Sequence, residues 1–540
     1  DTPAGPVTET VEQLVGRLGK WPWNRSYFTF ADTNNYLIWR FLKECHRRGW
    51  VYRGTDVMPW CARCGTGLSQ HEIATEGYQE LTHKSPTVRF PLVDRPGESL
   101  LVWTTTPWTL SANVAAAVGP ELTYLKVRQG EDSFYLAKGA AKAALKGKEG
   151  VDWTVLEELR GADMVGWRYR GPYDHLPAAA PAVAEAHRVI AWEEVGEAEG
   201  TGIVHIAPGC GAEDFGLSKR DGLPVIAPLD ENGIYGEGFG WLTGRLALDV
   251  AQEVVDDLKA RELLYKVEGY KHRYPTCWRC GSELVFRLVG EWFISMGPLY
   301  EQPRETVTEA QKAASLRYQM MDVVDQIRWI PAFGRERELD WLRNMHDWMI
   351  SKKRYWGLAL PIWACADPDC GWFTVVGGKE ELSARAVAGW EAFEGHSPHR
   401  PHVDAVEILC EDCGGPARRV RDVGNPWLDA GIVSLSTLPA DPADEEAFAA
   451  AKARWFPADF ITESFPGQFR NWFYSLLAMG TVLEGQPPFK TVLGFATLFA
   501  EDGREMHKSW GNAIEFNEAA DTMGADVMRW MYLAHRPEQN

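Results

Sequence analysis

Short apolar runs, broken by glycine and proline, fill most of the first half of the chain, while longer helical spacings mark its flanks. Val11, Leu14, Val15 and Leu18 recur at helical spacing, and Tyr36, Leu37, Trp39, Arg40, Phe41 and Leu42 continue as a second amphipathic helix. Between Leu81 and Lys271 the runs shorten. Thr87 to Pro91, Leu100 to Thr105 and Tyr124 to Val127 read as strands, with one Ala/Lys-rich helix near Ala137 to Lys146. A β-barrel-like domain with a few helices is the expectation. Helical spacing returns over 301–326, and Pro361 with Ile362 reads as the end of a strand.

Two stretches inside the β-rich part carry polar groups at strand ends. In Leu101 to Asn113 (LVWTTTPWTLSAN), an apolar run feeds Thr104, Thr105 and Thr106, then Pro107 and Trp108. A strand ending at a hydroxyl-lined bend is predicted, with Thr104 and Thr106 on one face and Thr105 on the other. In Gly200 to Phe215 (GTGIVHIAPGCGAEDF), a strand ends at His205 and a Pro/Gly turn presents Glu213 and Asp214. Asp230 to Gly233 forms a further turn, and His175 and His187 read as surface residues.

Composition narrows the class. The 540 residues exceed one ordinary core, so two to four domains are expected. No run is long and apolar enough for a membrane span, which points to a soluble, cytoplasmic protein. A net charge of -19 argues against a surface that grips nucleic acid everywhere, yet local phosphate contacts need only local cations. Lys352, Lys353 and Arg354 form one candidate patch, and Arg418, Arg419 and Arg421 another. Ten cysteines are too few for a disulfide scaffold, and eight of them fall in close pairs, the pattern of metal sites in a reducing compartment. Cys61 and Cys64 pair with Cys277 and Cys280 across the whole β-rich segment, and Cys365, Cys370, Cys410 and Cys413 make a more local set. Four thiolates make a closed tetrahedral zinc site, so one or two structural Zn2+ ions are expected.

The threonine strand and the His-to-Asp loop together resemble the editing pocket of the class I aminoacyl-tRNA synthetases for isoleucine, valine and leucine. The resemblance is strongest to the isoleucyl branch, through the VMPWCxRCG knuckle and its partner, and runs over nearly the whole chain. It implies that Asp214 holds the ammonium group of a misacylated amino acid, while His205, Thr104, Thr105 and Thr106 orient the ester and a water. Selection by an apolar pocket gains only about 1 to 3 kcal/mol from one methylene, so a second, hydrolytic site is the chemical remedy for valine.

Further motifs extend the resemblance. DWMISKKRYWGLALPIW is similar to the family's WxISRQRxWGxPIP, and implies that Trp356 shapes the catalytic face. VGNPWLDAG is similar to DxWFDSG, with Trp427 at the isoleucine pocket, Asn425 replacing aspartate and Ala430 replacing serine. DFITESFPGQFRNWFY resembles ExxDQxRGW: Gln468, Arg470 and Trp472 match as substrate-binding residues. Glu463 sits one residue upstream, Gly467 stands for aspartate and Asn471 for glycine. EDGREMHKSWGN resembles the mobile KMSKS loop over the ATP phosphates, with Met506, Lys508, Ser509, Gly511 and Asn512 matching and Glu505 and His507 departing. Lys508 and Ser509 are the expected catalytic pair there, since charge builds on the phosphates during adenylate formation. Asp521 to Arg529 resembles the YGADALR helix.

The expected fold is α/β: an incomplete Rossmann-like catalytic domain with an inserted β-barrel-like editing domain and zinc knuckles. The helical end of a first catalytic half with the first knuckle spans 1–80, and the editing domain 81–270. The second knuckle with the return to the catalytic domain spans 271–340, the second catalytic half with the local four-cysteine module 341–500, and the KMSKS-like loop with its helix 501–540. No HIGH motif and no anticodon-binding domain are seen, so a segment of a longer enzyme is expected. The implied function is ligation of isoleucine to tRNA(Ile) with ATP and Mg2+, plus editing of valyl-tRNA, by a monomer; the segment alone is not expected to aminoacylate. The alternatives are a valyl or leucyl enzyme, or a non-synthesising paralogue that binds and edits tRNA.

Overall fold

The computed structural model describes residues 8, 27–68, 73, 77–145, 152–185, 187–501, 503, 504, 506 and 511–536. The chain separates into two compact units, Gly54–Glu291 and the two flanks Asp1–Arg53 with Trp292–Asn540. The predicted helix around Val11 to Leu18 lies outside the described residues. The second, α1 (Asp32–Arg47), buries Leu37, Ile38, Trp39, Phe41, Leu42 and Cys45 on one side. Its first turn carries Asp32 and its last His46 and Arg47, the order that suits the helix dipole.

The unit Gly54–Glu291 is built on a nine-stranded mixed sheet. Its strands are β1 (Tyr78–Pro91), β2 (Glu98–Trp103), β3 (Ala115–Val118), β4 (Thr123–Gln129), β5 (Asp132–Ala137), β6 (Thr154–Arg160), β7 (Val189–Ala191), β8 (Ile203–Ile206) and β9 (Leu264–Pro275). Their order is β6-β4-β5-β2-β8-β3-β7, with β1 on the other side of β2 and β9 paired to β1 as a long antiparallel ribbon. Strand β2 has two parallel partners on one side: β5 along Glu98 to Leu100, then β8 at Trp103. The sheet therefore forks where β2 ends. At that fork Gly200 adopts φ +67, and a Cβ there would come within 2.7 Å of the Trp103 ring, so only glycine fits.

Several expectations shift in register. Strand β2 stops at Trp103, because Pro107 opens a 3-10 turn over Pro107–Ala112 and the threonines fall in the bend between. The alternation predicted for Thr104 to Thr106 does not apply there. The Ala/Lys helix, α2, spans Lys138–Ala144. Glu213 and Asp214 are not a turn but the first turn of α3 (Ala212–Asp221), which ends at Gly222 in the left-handed region. His187, expected at the surface, is buried, with Nε2 2.8 Å from the Asp174 carboxylate and its ring against Tyr169.

The flanking unit contains a parallel sheet of β10 (Arg328–Ile330), β11 (Ile461–Ser464) and β12 (Thr491–Phe495), ordered β10-β12-β11. Between the first two strands lies α4 (Phe333–Asn344), and α5 (Trp472–Glu484) makes the crossover from β11 to β12. Helix α5 is apolar on nearly all sides because it runs inside the core, with Phe473 to Val482 buried. The unit is thus α/β, as expected. The 301–326 stretch divides into Glu309–Ala313 and Leu316–Val324, and Ile362 begins a strand, Ile362–Cys365, where an end was expected. The Asp521 to Arg529 helix is two helices, Phe516–Met523 and Ala525–Ala534, parted at Gly524 (φ +87). Among the described residues no helix is long and apolar enough to cross a membrane.

Candidate functional site

The fork in the mixed sheet opens a cavity of about 540 Å³. Thr104, Thr105, Thr106, His205, Cys210 and Asp214 all line it, so two stretches nearly a hundred residues apart face one space. The end of β2 delivers the threonines; the end of β8 and the start of α3 deliver the rest. Thr104 Oγ1 accepts the Thr106 N–H at 3.0 Å, folding the bend on itself, and the Thr105 and Thr106 hydroxyls lie 3.3 Å apart.

His205 is held from both sides. Asn113 donates through Nδ2 to His205 Nδ1 at 3.1 Å, and Nε2 lies 2.8 Å from Thr109 Oγ1, which donates to the Thr106 carbonyl at 2.8 Å. The side-chain carbonyl of Asn113 accepts the Tyr169 hydroxyl at 2.8 Å. Nδ1 is therefore an acceptor and Nε2 carries the proton. Burial lowers the His205 pKa to about 4, so the ring is neutral at physiological pH. With both nitrogens engaged, His205 braces the threonine bend and is no free base.

Asp214 is one of two carboxylates that line the cavity, the other being Glu199. Its Oδ2 accepts the Ala207 N–H at 2.7 Å, and the short loop between β8 and α3 keeps the carboxyl against Gly211. Burial raises its pKa to about 6, an effect to which Glu213 adds and which the Ala207 N–H opposes. No cationic side chain pairs with it among the described residues, so the carboxylate is free to take a cation from a ligand. Burial, with the nearby Asp214 charge, also holds the Cys210 thiol well above its ordinary pKa. Sequence reading missed Thr109, Asn113, Tyr169 and Cys210; a polar Asn ending an otherwise apolar stretch was the one signal available.

Both cysteine sets assemble. Cys61, Cys64, Cys277 and Cys280 bring their sulfurs within 4.8 Å of one another, as do Cys365, Cys370, Cys410 and Cys413. The Sγ–Sγ distances are 3.5 Å for Cys61–Cys280, 3.5 Å for Cys365–Cys413 and 3.6 Å for Cys370–Cys410. A tetrahedral zinc with Zn–S of about 2.3 Å sets its sulfurs about 3.8 Å apart, so both sets fit it. Each knuckle closes on a glycine in the left-handed region, Gly65, Gly281, Gly371 and Gly414. In three of them that glycine donates to the carbonyl of the first cysteine of its pair, from Gly65 to Cys61, Gly281 to Cys277 and Gly414 to Cys410. The distant first pairing is thus as complete as the local one, and more buried.

In the flanking unit, Trp427 stands in the first turn of Pro426–Gly431, whose N-cap is Asn425: its side-chain oxygen accepts the Trp427 N–H at 3.0 Å. The expected aspartate and this asparagine cap alike. Trp472 opens α5 and donates from its indole to the Ala430 carbonyl at 2.9 Å, while Gln468 Oε1 accepts the Trp472 N–H at 3.2 Å. Gln468 and Trp472 are therefore tied to the helix that carries Trp427. Asp429, unremarked in the sequence, is half-buried in the same helix as Trp427, accepts from Asn34 Nδ2 at 3.1 Å and has a pKa raised to about 6 by desolvation. Asn471, where glycine was expected, donates to the Gly467 carbonyl at 3.1 Å.

Other predicted residues are placed elsewhere. Arg470 lies over the Trp341 ring at 5.5 Å, in a cavity of about 510 Å³ lined by Phe333, Phe465, Phe469 and Phe499. Glu463 accepts the N–H of its neighbour Ser464 at 2.7 Å. Trp356 is exposed and stacks on His399. Met506 and Gly511 are described, Gly511 in a turn at φ +70, while Lys508 and Ser509 lie outside the described residues.

Comparison with known proteins adds relatives to this geometry. The chain is 37% identical over 526 residues to the isoleucine-tRNA ligase of Methanothermobacter marburgensis, covering 96% of this chain and 46% of that protein. It is also 37% identical over 536 residues to the isoleucine-tRNA ligase of Thermus thermophilus, covering 98% and 48%. The chain thus spans about half the length of the relatives it matches. Among solved structures, a leucyl-tRNA synthetase complex from Agrobacterium radiobacter K84 aligns over 93% of this chain and 56% of its own, at 14% identity and a TM-score of 0.34. Residues 5–539 match the family described as tRNA synthetases class I (I, L, M and V), and the chain belongs to that family.

Proposed function

We propose that the protein is an isoleucine-tRNA ligase: it activates isoleucine with ATP, transfers it to tRNA(Ile), and hydrolyses valyl-tRNA in the cavity of the mixed sheet. The carrying observation is the convergence of Thr104, Thr105, Thr106 and Asp214 on one space of about 540 Å³. The isoleucine assignment draws on the names of the relatives.

In the editing reaction the Asp214 carboxylate takes the α-ammonium of the aminoacyl group, which fixes the ester beside the threonine bend. The hydroxyls of Thr105 and Thr106 hold the ester oxygens and the attacking water. His205 keeps the bend in shape through Thr109. Water is the nucleophile, since the Cys210 thiol is held protonated by its surroundings.

In the synthetic reaction Trp427 and Trp472 wall the side-chain pocket and Gln468 fixes the start of α5. Lys508 and Ser509, with Met506 and Gly511, are the residues that would meet the phosphates of ATP, where Mg2+ would supply further neutralising charge. Each cysteine set holds a structural Zn2+. The protein works as a cytoplasmic monomer. Two assays of the full-length product test the whole reading: isoleucine-dependent ATP–pyrophosphate exchange, and deacylation of valyl-tRNA(Ile) by wild type and Asp214→Ala. Valine-only exchange, or full deacylation by Asp214→Ala, would overturn it.

A further inference from the structure

The long ribbon of β1 and β9 carries a pair of histidines that the proposed reactions do not use. Tyr270 lies opposite His83 and His272 opposite Leu81, so His83 and His272 are diagonal neighbours on one face of the ribbon. Their rings stand edge to face with centroids 5.0 Å apart, and His83 Nδ1 lies 2.9 Å from His272 Nε2. Tyr274 packs edge-on against His83 at 4.7 Å and Tyr270 lies against His272 at 5.5 Å, so aromatic neighbours hold both imidazoles.

On the far side of its ring, His83 Nε2 is buried, with the Glu283 carboxylate at 3.3 Å. A carboxylate in that place keeps the ring proton on Nε2 and leaves Nδ1, the nitrogen that faces His272, with its lone pair. Burial, reinforced by His83, holds the His272 pKa below its usual value against the pull of Glu199 and Glu283, so that ring is neutral at physiological pH. Among the described residues no third His, Cys, Asp or Glu brings a ligand atom to the pair, which sets it apart from the two closed thiolate sets.

Two imidazoles placed nitrogen to nitrogen, one of them backed by a carboxylate, are the protein's half of an open transition-metal site. The spacing agrees: with metal–nitrogen bonds of about 2.0 to 2.1 Å, two ligands at right angles stand about 2.9 Å apart. That angle belongs to tetragonal and octahedral ions, which take imidazole together with water. We propose that His83 Nδ1 and His272 Nε2 bind one divalent ion of the imidazole-seeking class, Ni2+ or Cu2+, with Glu283 orienting His83 and water in the remaining positions. As the ion enters, the proton between the rings moves to His272 Nδ1 and both imidazoles stay neutral. With only two protein ligands the ion exchanges freely, unlike one enclosed by four thiolates.

The test is calorimetric titration of the untagged full chain with Ni2+, after saturation with Zn2+ and dialysis. Wild type should take up one Ni2+ per chain. His83→Ala and His272→Ala should each weaken that uptake at least about tenfold, and Glu283→Gln, which removes the outer carboxylate, about 10- to 100-fold. Excess Mg2+ should leave the uptake unchanged, since hard cations seek oxygen, and lowering the pH should abolish it as protons take the imidazoles. Circular dichroism establishes that each variant is folded; if an alanine variant is not, His272→Gln takes its place, with the same loss expected. Equal uptake by wild type and the folded histidine variants would overturn the site, as would a wild type that takes up no Ni2+. Displacement of Ni2+ by Mg2+ would overturn it too, by assigning the ion to carboxylates.

Discussion

Asn113 donates to Nδ1 of His205 across 3.1 Å, and this contact decides that the imidazole proton sits on Nε2, facing Thr109. The histidine of the cavity is therefore a strut under the threonine bend. Asn113→Ala would leave His205 Nδ1 without a partner in a buried site and the Tyr169 hydroxyl with only the 3.4 Å contact to His187 Nδ1, at a cost of about 1 to 3 kcal/mol. The denaturation midpoint should fall accordingly, and valyl-tRNA deacylation should fall with it, while isoleucine-dependent pyrophosphate exchange stays near wild type.

In the proposed editing reaction Asp214 should make deacylation pH-dependent. Its pKa is raised to about 6, so the ionised form that can hold an ammonium is lost as pH falls through that value. kcat/KM for deacylation should drop on the acid side with a midpoint near 6, and Asp214→Asn should be low at every pH. The stability effect has the opposite sign. A carboxyl whose folded pKa lies above its ordinary value penalises folding at neutral pH, and the penalty is relieved between about pH 6 and 4. Asp214→Asn should thus be more stable than wild type at about pH 7.5, by on the order of 1 to 3 kcal/mol, with the gain shrinking below about pH 6 in urea titrations.

His205 supplies the counterweight. Its folded pKa, lowered to about 4, lies below its ordinary value, so its contribution is complete above about pH 6.5 and is lost as pH falls toward 4. NMR titration of the ring should show the neutral Nε2–H form throughout the physiological range. An imidazolium signal at about pH 6 would contradict the assignment.

The two thiolate sets predict two zinc ions per chain by metal analysis. Cys277→Ser should remove one and Cys410→Ser the other, each with a lower thermal midpoint. The first set holds two buried cysteines, Cys61 and Cys277, and the second one, Cys410, so the first loss should be the more damaging.

Gly200→Ala separates the two proposed activities. The left-handed φ of +67 and the Trp103 ring 2.7 Å from the added Cβ both resist it. Deacylation should be impaired severalfold or more while pyrophosphate exchange remains, since the substitution lies within the unit Gly54–Glu291.

At the other site, Asn425→Asp should be nearly neutral in stability, and Asn425→Ala should cost about 1 kcal/mol, because the cap of Trp427 is what the side chain provides. A large loss in Asn425→Asp would show that the amide, and not the cap, matters.

Residue patterns foretold what local chemistry dictates. The cysteine knuckles, the amphipathic face of α1 and the facing of the threonines with Asp214 were all legible, because metal spacing, helical period and motif resemblance act over short stretches. What escaped was set by distant neighbours. The cavity beside Thr104 to Thr106 opens because β2 changes partners from β5 to β8 at its end, which no window around those threonines contains. His187 is buried because Asp174 and Tyr169 meet it from other segments. Asn425, read as a loss, keeps its value because capping needs an oxygen and not a charge.

The first thiolate set has an architectural corollary. Cys61 and Cys64 sit where the chain enters the mixed-sheet unit, and Cys277 and Cys280 shortly before it leaves. Clasping them closes more than two hundred residues into a bracelet, whose entropic cost is met within the bracelet itself. Any scaffold that carries it needs to accommodate only two neighbouring ends, as it would a hairpin. A unit closed in this way would carry the tie between its own ends within itself.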